Sequence, residues 1–218
     1  MSDVTEQGDI GLFDAIYTMR AIRRFKPDPV PDALLRKVIE AAGQAPSGGN
    51  RQPWRWIVIR SAEGKRMVSD LVKQANAKAA EARAAGQDRR PAPTPAAAPG
   101  ADFAESLASV PVIVIACAQA PVSQGPWSVG PFGQTFPGVE NLLLAARGVG
   151  LGGCITTGFR WMAAEFKERL GLPDDVEPTC LIPLGYPLGA DGERHGPKMR
   201  RPIEELAHEE RWGGAISF

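Results

Sequence analysis

AAGQAPSGGNRQPWRWIVIR (residues 41–60) places a helix end, a turn and a strand in one short stretch. Pro46 disfavours helix in the residue before it, so a helix arriving from upstream must stop there. Gly48 and Gly49 follow, and glycine reaches backbone conformations that other residues avoid. WRWIVIR is aromatic and β-branched, the composition of a strand. Between the two elements the chain offers the Ser47 hydroxyl, a close backbone approach at the glycines, and the donor and acceptor of Asn50. Trp54 and Trp56 can anchor this turn in the core. Two readings fit: a turn that faces the polar edge of a flat ligand, or a helix stop with a capping Asn.

Upstream, LFDAIYTM (12–19) has helical apolar spacing and runs into Arg20, Arg23, Arg24 and Lys26. Pro27, Pro29 and Pro31 force an extended crossing. Pro31 and Asp32 then suit the start of a helix whose apolar face is Leu34, Leu35, Val38, Ile39 and Ala42. Downstream, a helix is expected over 62–85. GQDRRPAPTPAAAPGA (86–101) cannot be regular structure and is either a lid or a plain linker. VPVIVIACA (110–118) has the composition of a buried strand, and 121–133 that of a Pro/Gly loop. FPGVENLLLAARGVGLG (136–152) reads as a long, nearly all-apolar helix in the centre of the core. GGCITTGF (152–159) is a short strand and turn, and MAAEFKERLGL (162–172) an amphipathic helix closing at Gly171. PTCLIPLGYPLG (178–189) is a strand with prolines, hence an edge strand or an interrupted one. Helices and strands mix without regular βαβ alternation, which favours α+β over a doubly wound sheet.

The totals limit the function classes. A chain of 218 residues with formal net charge zero suits one domain, 1–218, and gives no reason to expect nucleic acid or an anionic membrane as partner. No apolar stretch is long enough to span a bilayer. The first residues, MSDVTEQGD, have no leader character, so a cytoplasmic location is expected. Cys117, Cys154 and Cys180 lie in or beside apolar runs without CxxC spacing and read as buried thiols. His195 and His208 are the only histidines, too few and too far apart for a zinc site, and no metal is expected. There is no G-x-S-x-G elbow for a serine hydrolase.

Two basic clusters, at 20–26 and at 198–201, could enclose a phosphate from both sides, or could simply be solvated faces. Thr157 and Gly158 follow a strand, where a backbone N–H can point into a cleft, though by themselves they read first as an ordinary turn.

MRAIRRFKPDPVP, AAGQAPSGGNRQPW, FPGVENLLLAARGVGLG, LIPLGYP and RRPIEELAHEERWG occur in this order, and together they resemble the FMN-dependent nitroreductase superfamily. The resemblance runs from Leu12 to Trp212. It implies a nitroreductase-like α+β fold, with a central, mostly antiparallel sheet flanked by helices. It also implies an intertwined homodimer with two FMN sites at the subunit interface. In the family pattern R-R-S-x-R the basic residues hold the FMN phosphate; the matching stretch here is Met19, Arg20, Ala21, Ile22 and Arg23. Arg20 and Arg23 fit. Met19 and Ala21 depart, removing a guanidinium and a hydroxyl, with Arg24 at hand to compensate. Lys198 and Arg200 match the late basic pair of the phosphate site. Pro46, Ser47, Gly48 and Asn50 match the P-S-x-x-N turn, which by resemblance reaches the isoalloxazine from the partner chain. Thr157 and Gly158 match the turn whose N–H faces flavin N5. The stretch 75–109 is where family members differ most and where substrate is chosen.

The implied activity is FMN-dependent NAD(P)H oxidation. NADH or NADPH would pass hydride to flavin N5 in a ping-pong cycle, and the acceptor would be a small nitroaromatic, quinone or activated alkene. No side-chain acid or base stands out, so no catalytic residue is assigned. The alternatives are a non-catalytic flavin-binding or flavin-sequestering protein, a dehalogenase, and a flavin-destroying enzyme. The dehalogenating branch carries a lid tyrosine, but Tyr17 and Tyr186 both lie outside 75–109. The flavin-destroying branch resembles R-R-D-x-R, and Ala21 replaces its acid.

Overall fold

A computed structural model of the chain describes residues 10–87, 103–119, 130–189 and 194–217. The predicted lid or linker therefore lies outside the described residues from 88 onward, as does 121–129 of the second predicted loop.

The sheet has four strands: β1 (Trp54–Ile59), β2 (Val112–Gln119), β3 (Gly152–Gly153) and β4 (Val176–Gly185). Their order is β1-β2-β4-β3 and every pairing is antiparallel. The helices are α1 (Leu12–Thr18), α2 (Asp32–Ala42), α3 (Ala62–Ala84), α4 (Phe103–Ser106), α5 (Gly130–Gly148) and α6 (Ala163–Leu170).

Strand alternation in β2 divides the core. Val112, Val114 and Ala116 join Leu35, Val38 and Ala42 of α2 and Val139, Leu142, Leu143 and Ala146 of α5. Ile113, Ile115 and Cys117 join Val68, Leu71 and Val72 of α3, Leu107, and Phe159 and Phe166 at α6. The sheet is thus covered on both faces, which is why β2 reads as an unbroken apolar run. Ser61 caps α3 by accepting the Gly64 N–H at 3.0 Å, and Gly171 ends α6 at φ 62°.

Two sequence expectations change. β4 is an interior strand, lying between β2 and β3, and not an edge. Its prolines are accommodated by interruption, the other half of the expectation. The register with β2 shifts between Ala116 and Cys117, where Pro178 faces Cys117 and Cys180 faces Ala116. Thr179 falls in the bulge, and its hydroxyl donates to the Ala116 carbonyl at 2.9 Å, replacing a ladder donor. The neighbour β3 has only two residues, so few ladder donors are asked of β4 on that side. Second, α5 begins at Gly130, inside the stretch expected to be loop, and carries Pro137 within it. The proline lacks an N–H for the Gly133 carbonyl, yet the buried face that starts at Thr135 continues the helix through it.

Candidate functional site

Ala21 pairs in parallel with Gly153, and the Ile22 N–H donates to the Gly153 carbonyl at 2.9 Å. The extended segment after α1 thereby lengthens the sheet beyond β3. This pairing needs glycine at both β3 positions. A Cβ on Gly152 would lie 2.6 Å from Ile22 Cγ1, and one on Gly153 would lie 2.8 Å from the Pro183 carbonyl oxygen.

Here the first basic segment meets the chain just before the second basic cluster. Arg20 Nε donates to the Gly196 carbonyl at 2.7 Å, and the Gly196 N–H donates to the Thr18 carbonyl at 2.8 Å. His195 Nε2 lies 2.8 Å from the Leu151 carbonyl oxygen, which can only accept, so Nε2 carries the proton. Arg147 of α5 approaches from the other side, with Nε donating to Thr18 Oγ1 at 3.0 Å. Burial lowers the His195 pKa first; the bond to Leu151 opposes that, and Arg147 and Arg20 push it lower again. Lys198 and Arg200 follow on an exposed segment without regular secondary structure. Side chains alternate along extended backbone, so Ala21 and Arg23 share one face and Arg20 lies on the other with Ile22.

From Gly153 the chain runs to Thr156, bridged to Leu181, and then into a 3₁₀ turn over Gly158–Met162. Gly158 lies five steps along the chain from Gly153, a reach of at most about 18 Å. The Gly158 N–H faces Thr156 Oγ1 at a long 3.4 Å, and Asn76 of α3 stands beside the turn. Thr157 is exposed and Gly158 half-buried. The Arg20–Gly196 contact and the Gly158 turn thus follow each other along one edge of the sheet.

The turn at 46–50 does not join them. Its Gly48 N–H donates to Gln134 Oε1 at 2.8 Å, at the beginning of α5, whereas Arg147 at the end of that helix donates to Thr18, just before the first basic segment. The rise between those two helix positions is about 20 Å. The turn is tightly built: Gly49, Asn50 and Gln52 have φ of 60°, 52° and 48°, and the Gln52 N–H donates to Ser47 Oγ at 2.9 Å. Left-handed backbone at two non-glycine residues is stored strain of the kind found at ligand-facing loops. Trp54 is buried and Trp56 packs its ring on Gly138 of α5, so both indoles anchor the turn as the sequence suggested. Pro46, Gly48 and Asn50 are exposed and Ser47 half-buried.

Sequence reasoning missed Gln134 and His195. A lone amide at the head of an apolar helix, and one of only two histidines beside a basic pair, were the available signals. The cysteines are the buried thiols expected: burial pushes Cys117 up to about 12 and Cys180 up to about 11. Such thiols carry no thiolate at neutral pH. Among the described residues no helix is long and apolar enough to cross a membrane.

Known proteins match this chain in sequence and in fold. An NADH dehydrogenase of Thermus thermophilus is 31% identical over 207 residues, covering 88% of this chain and 92% of that one. The fold matches an FMN complex from Desulfovibrio desulfuricans with a TM-score of 0.66 and 26% identity, over 94% of this chain and 99% of the other. It matches the NADPH:FMN oxidoreductase of Vibrio harveyi, solved with NAD+, with a TM-score of 0.72 and 20% identity, over 94% and 79%. The family model described as the nitroreductase family matches residues 16–186. With these relatives, that sheet and a match over most of its length, the chain belongs to the nitroreductase family.

Proposed function

We propose that the protein is an FMN-dependent NAD(P)H oxidoreductase that delivers electrons to a small nitroaromatic, quinone or activated alkene. One observation carries the reading. The Arg20–Gly196 bond joins two basic segments that are far apart in sequence, and it does so at the sheet edge that leads to the Gly158 turn. Guanidinium and ammonium groups carried on two segments that meet suit a phosphate monoester, whose oxygens they match in charge and geometry.

Lys198, Arg200 and Arg23 would hold the phosphate, with Arg20 and Ala21 in the segment that frames it. The backbone at Thr157 and Gly158 would meet the flavin ring. Bound FMN supplies the two-electron carrier that a nicotinamide reduces and an acceptor oxidises. The protein's own part is to fix the ring, keep one face open and offer donors to its polar edge.

Pro46, Ser47, Gly48 and Asn50 would complete the site of a second copy, because the length of α5 separates them from the basic cluster in their own chain. The exposed apolar side chains support that arrangement. Leu12, Phe13 and Tyr17 stand out from α1, and Met199 and Trp212 of the C-terminal arm are 93% and 90% exposed. A surface of this kind suits a homodimer in which the arms embrace.

The test is the visible spectrum of the purified protein, with mass spectrometry of the ligand released from it. A yellow protein carrying FMN, bleached by NADH or NADPH under anaerobic conditions, is expected. A colourless protein that takes up no FMN overturns the assignment. A yellow protein that neither nicotinamide reduces is a flavin carrier and not an enzyme.

A further inference from the structure

His195 has no place in that scheme, yet it is the one described side chain with a buried polar atom lacking any partner, Nδ1. Its surroundings are unusual. Arg20 faces it from the extended segment after α1, and Arg147 faces it from α5. Among the described residues neither arginine is paired with a carboxylate. A third cation there would be unopposed, so the ring is held neutral, with its proton on Nε2 for Leu151.

Three hydrogen bonds converge on two adjacent residues: Nε2 of His195 to Leu151, the Gly196 N–H to Thr18, and Arg20 Nε to the Gly196 carbonyl. They tie the C-terminal segment to the N-terminal segment and to the entry of β3. Beyond Gly196 the chain is exposed as far as Leu206, so these bonds are the last described attachment before Lys198 and Arg200.

We propose that His195, with Arg20 and Gly196, is a clip that positions Lys198 and Arg200 at the phosphate end of the cofactor site. His195 is a positioning residue: it acts through the two cations that follow it and from the side of the strand opposite Ala21 and Arg23. The inference rests on the FMN reading above. It adds that the affinity of the basic pair depends on a neutral imidazole that donates to a backbone carbonyl.

The experiment measures FMN and riboflavin affinity by fluorescence quenching for the full chain, His195→Ala, His195→Gln, Arg200→Ala and the double variant His195→Ala/Arg200→Ala. His195→Ala is expected to weaken FMN about tenfold and riboflavin by less than about twofold, since only FMN carries the phosphate. His195→Gln keeps an N–H that can reach Leu151 and is expected to restore most of the FMN affinity. The double variant is expected to lose less than the two single effects combined, because one acts through the other.

A second readout is thermal stability against pH. The native pKa of His195 lies below its unfolded value near 6.5, so the unfolded chain binds more protons between the two. The unmodified protein should therefore lose stability relative to His195→Gln as pH falls through that window, and should show no such difference at pH 8. Equal FMN affinity in the parent and His195→Ala overturns the clip, as does equal loss of FMN and riboflavin, or failure of Gln to rescue. If His195→Ala does not fold, the affinity of the Gln variant and its pH profile decide the question. Absence of FMN binding by the unmodified chain overturns the functional reading itself, and the clip with it.

Discussion

Arg200 and Arg201 are neighbours with the same charge and similar exposure, which makes them a matched pair for a test. Arg200 stands two residues after Lys198, and the side chain of Arg201 is expected to project differently from that of Arg200. Arg200→Ala should weaken FMN by about 1.5–3 kcal/mol, roughly ten- to a hundredfold, while riboflavin binding changes little. Arg201→Ala should leave both ligands within about twofold. Isothermal titration with each flavin checks this. An equal loss for FMN and riboflavin would remove Arg200 from the phosphate site.

At the scale of elements, the crossing of α2 and α5 sets where the 46–50 turn emerges. Gly138 lies at that crossing. A Cβ there would sit 3.0 Å from the Ala42 carbonyl oxygen and 3.1 Å from the Trp56 ring. Gly138→Ala should cost about 1–3 kcal/mol in overpacking, partly offset by about 1 kcal/mol of improved helix propensity. The net loss of up to about 2 kcal/mol lowers Tm by up to roughly 8 °C in a chain of this size. Gly133, in the same helix, has open space around its Cβ position, so Gly133→Ala should be neutral or stabilising. Calorimetry of the two variants compares them directly, and a Gly138→Ala protein as stable as the parent would show that α2 shifts aside at no cost.

At the scale of the molecule, the described chain leaves its α1 face and its C-terminal arm without cover. Ile203 and Leu206 are half-exposed and Trp212 almost wholly so, with His208 tilted against its ring at 4.5 Å. The full chain should sediment as a dimer at micromolar concentration. A chain ending at Arg201 keeps Lys198 and Arg200 but loses those apolar anchors, and should shift to monomer and bind FMN more weakly. Sedimentation equilibrium with and without FMN reads both effects. A stable, FMN-saturated monomer of the full chain would disprove the two-copy site.

What the sequence determined by itself was local. The apolar face of α2, the stop before Pro46, the Gly171 helix end and the buried run of β2 follow from spacing, proline geometry and composition, which act over a few residues. The motif order also indicated the family, because several stretches in register constrain one fold. Tertiary structure alone decided what depends on contacts between distant residues. It placed β4 inside the sheet, since edge or interior is a property of the neighbours and not of the strand. It carried α5 back to Gly130, since burial of one face outweighed the proline and glycines. It joined Arg20 to Gly196 and His195 to Leu151, and set the 46–50 turn at the opposite end of α5 from them. Nothing in residue spacing encodes those distances, because they arise only when two helical layers close on one sheet.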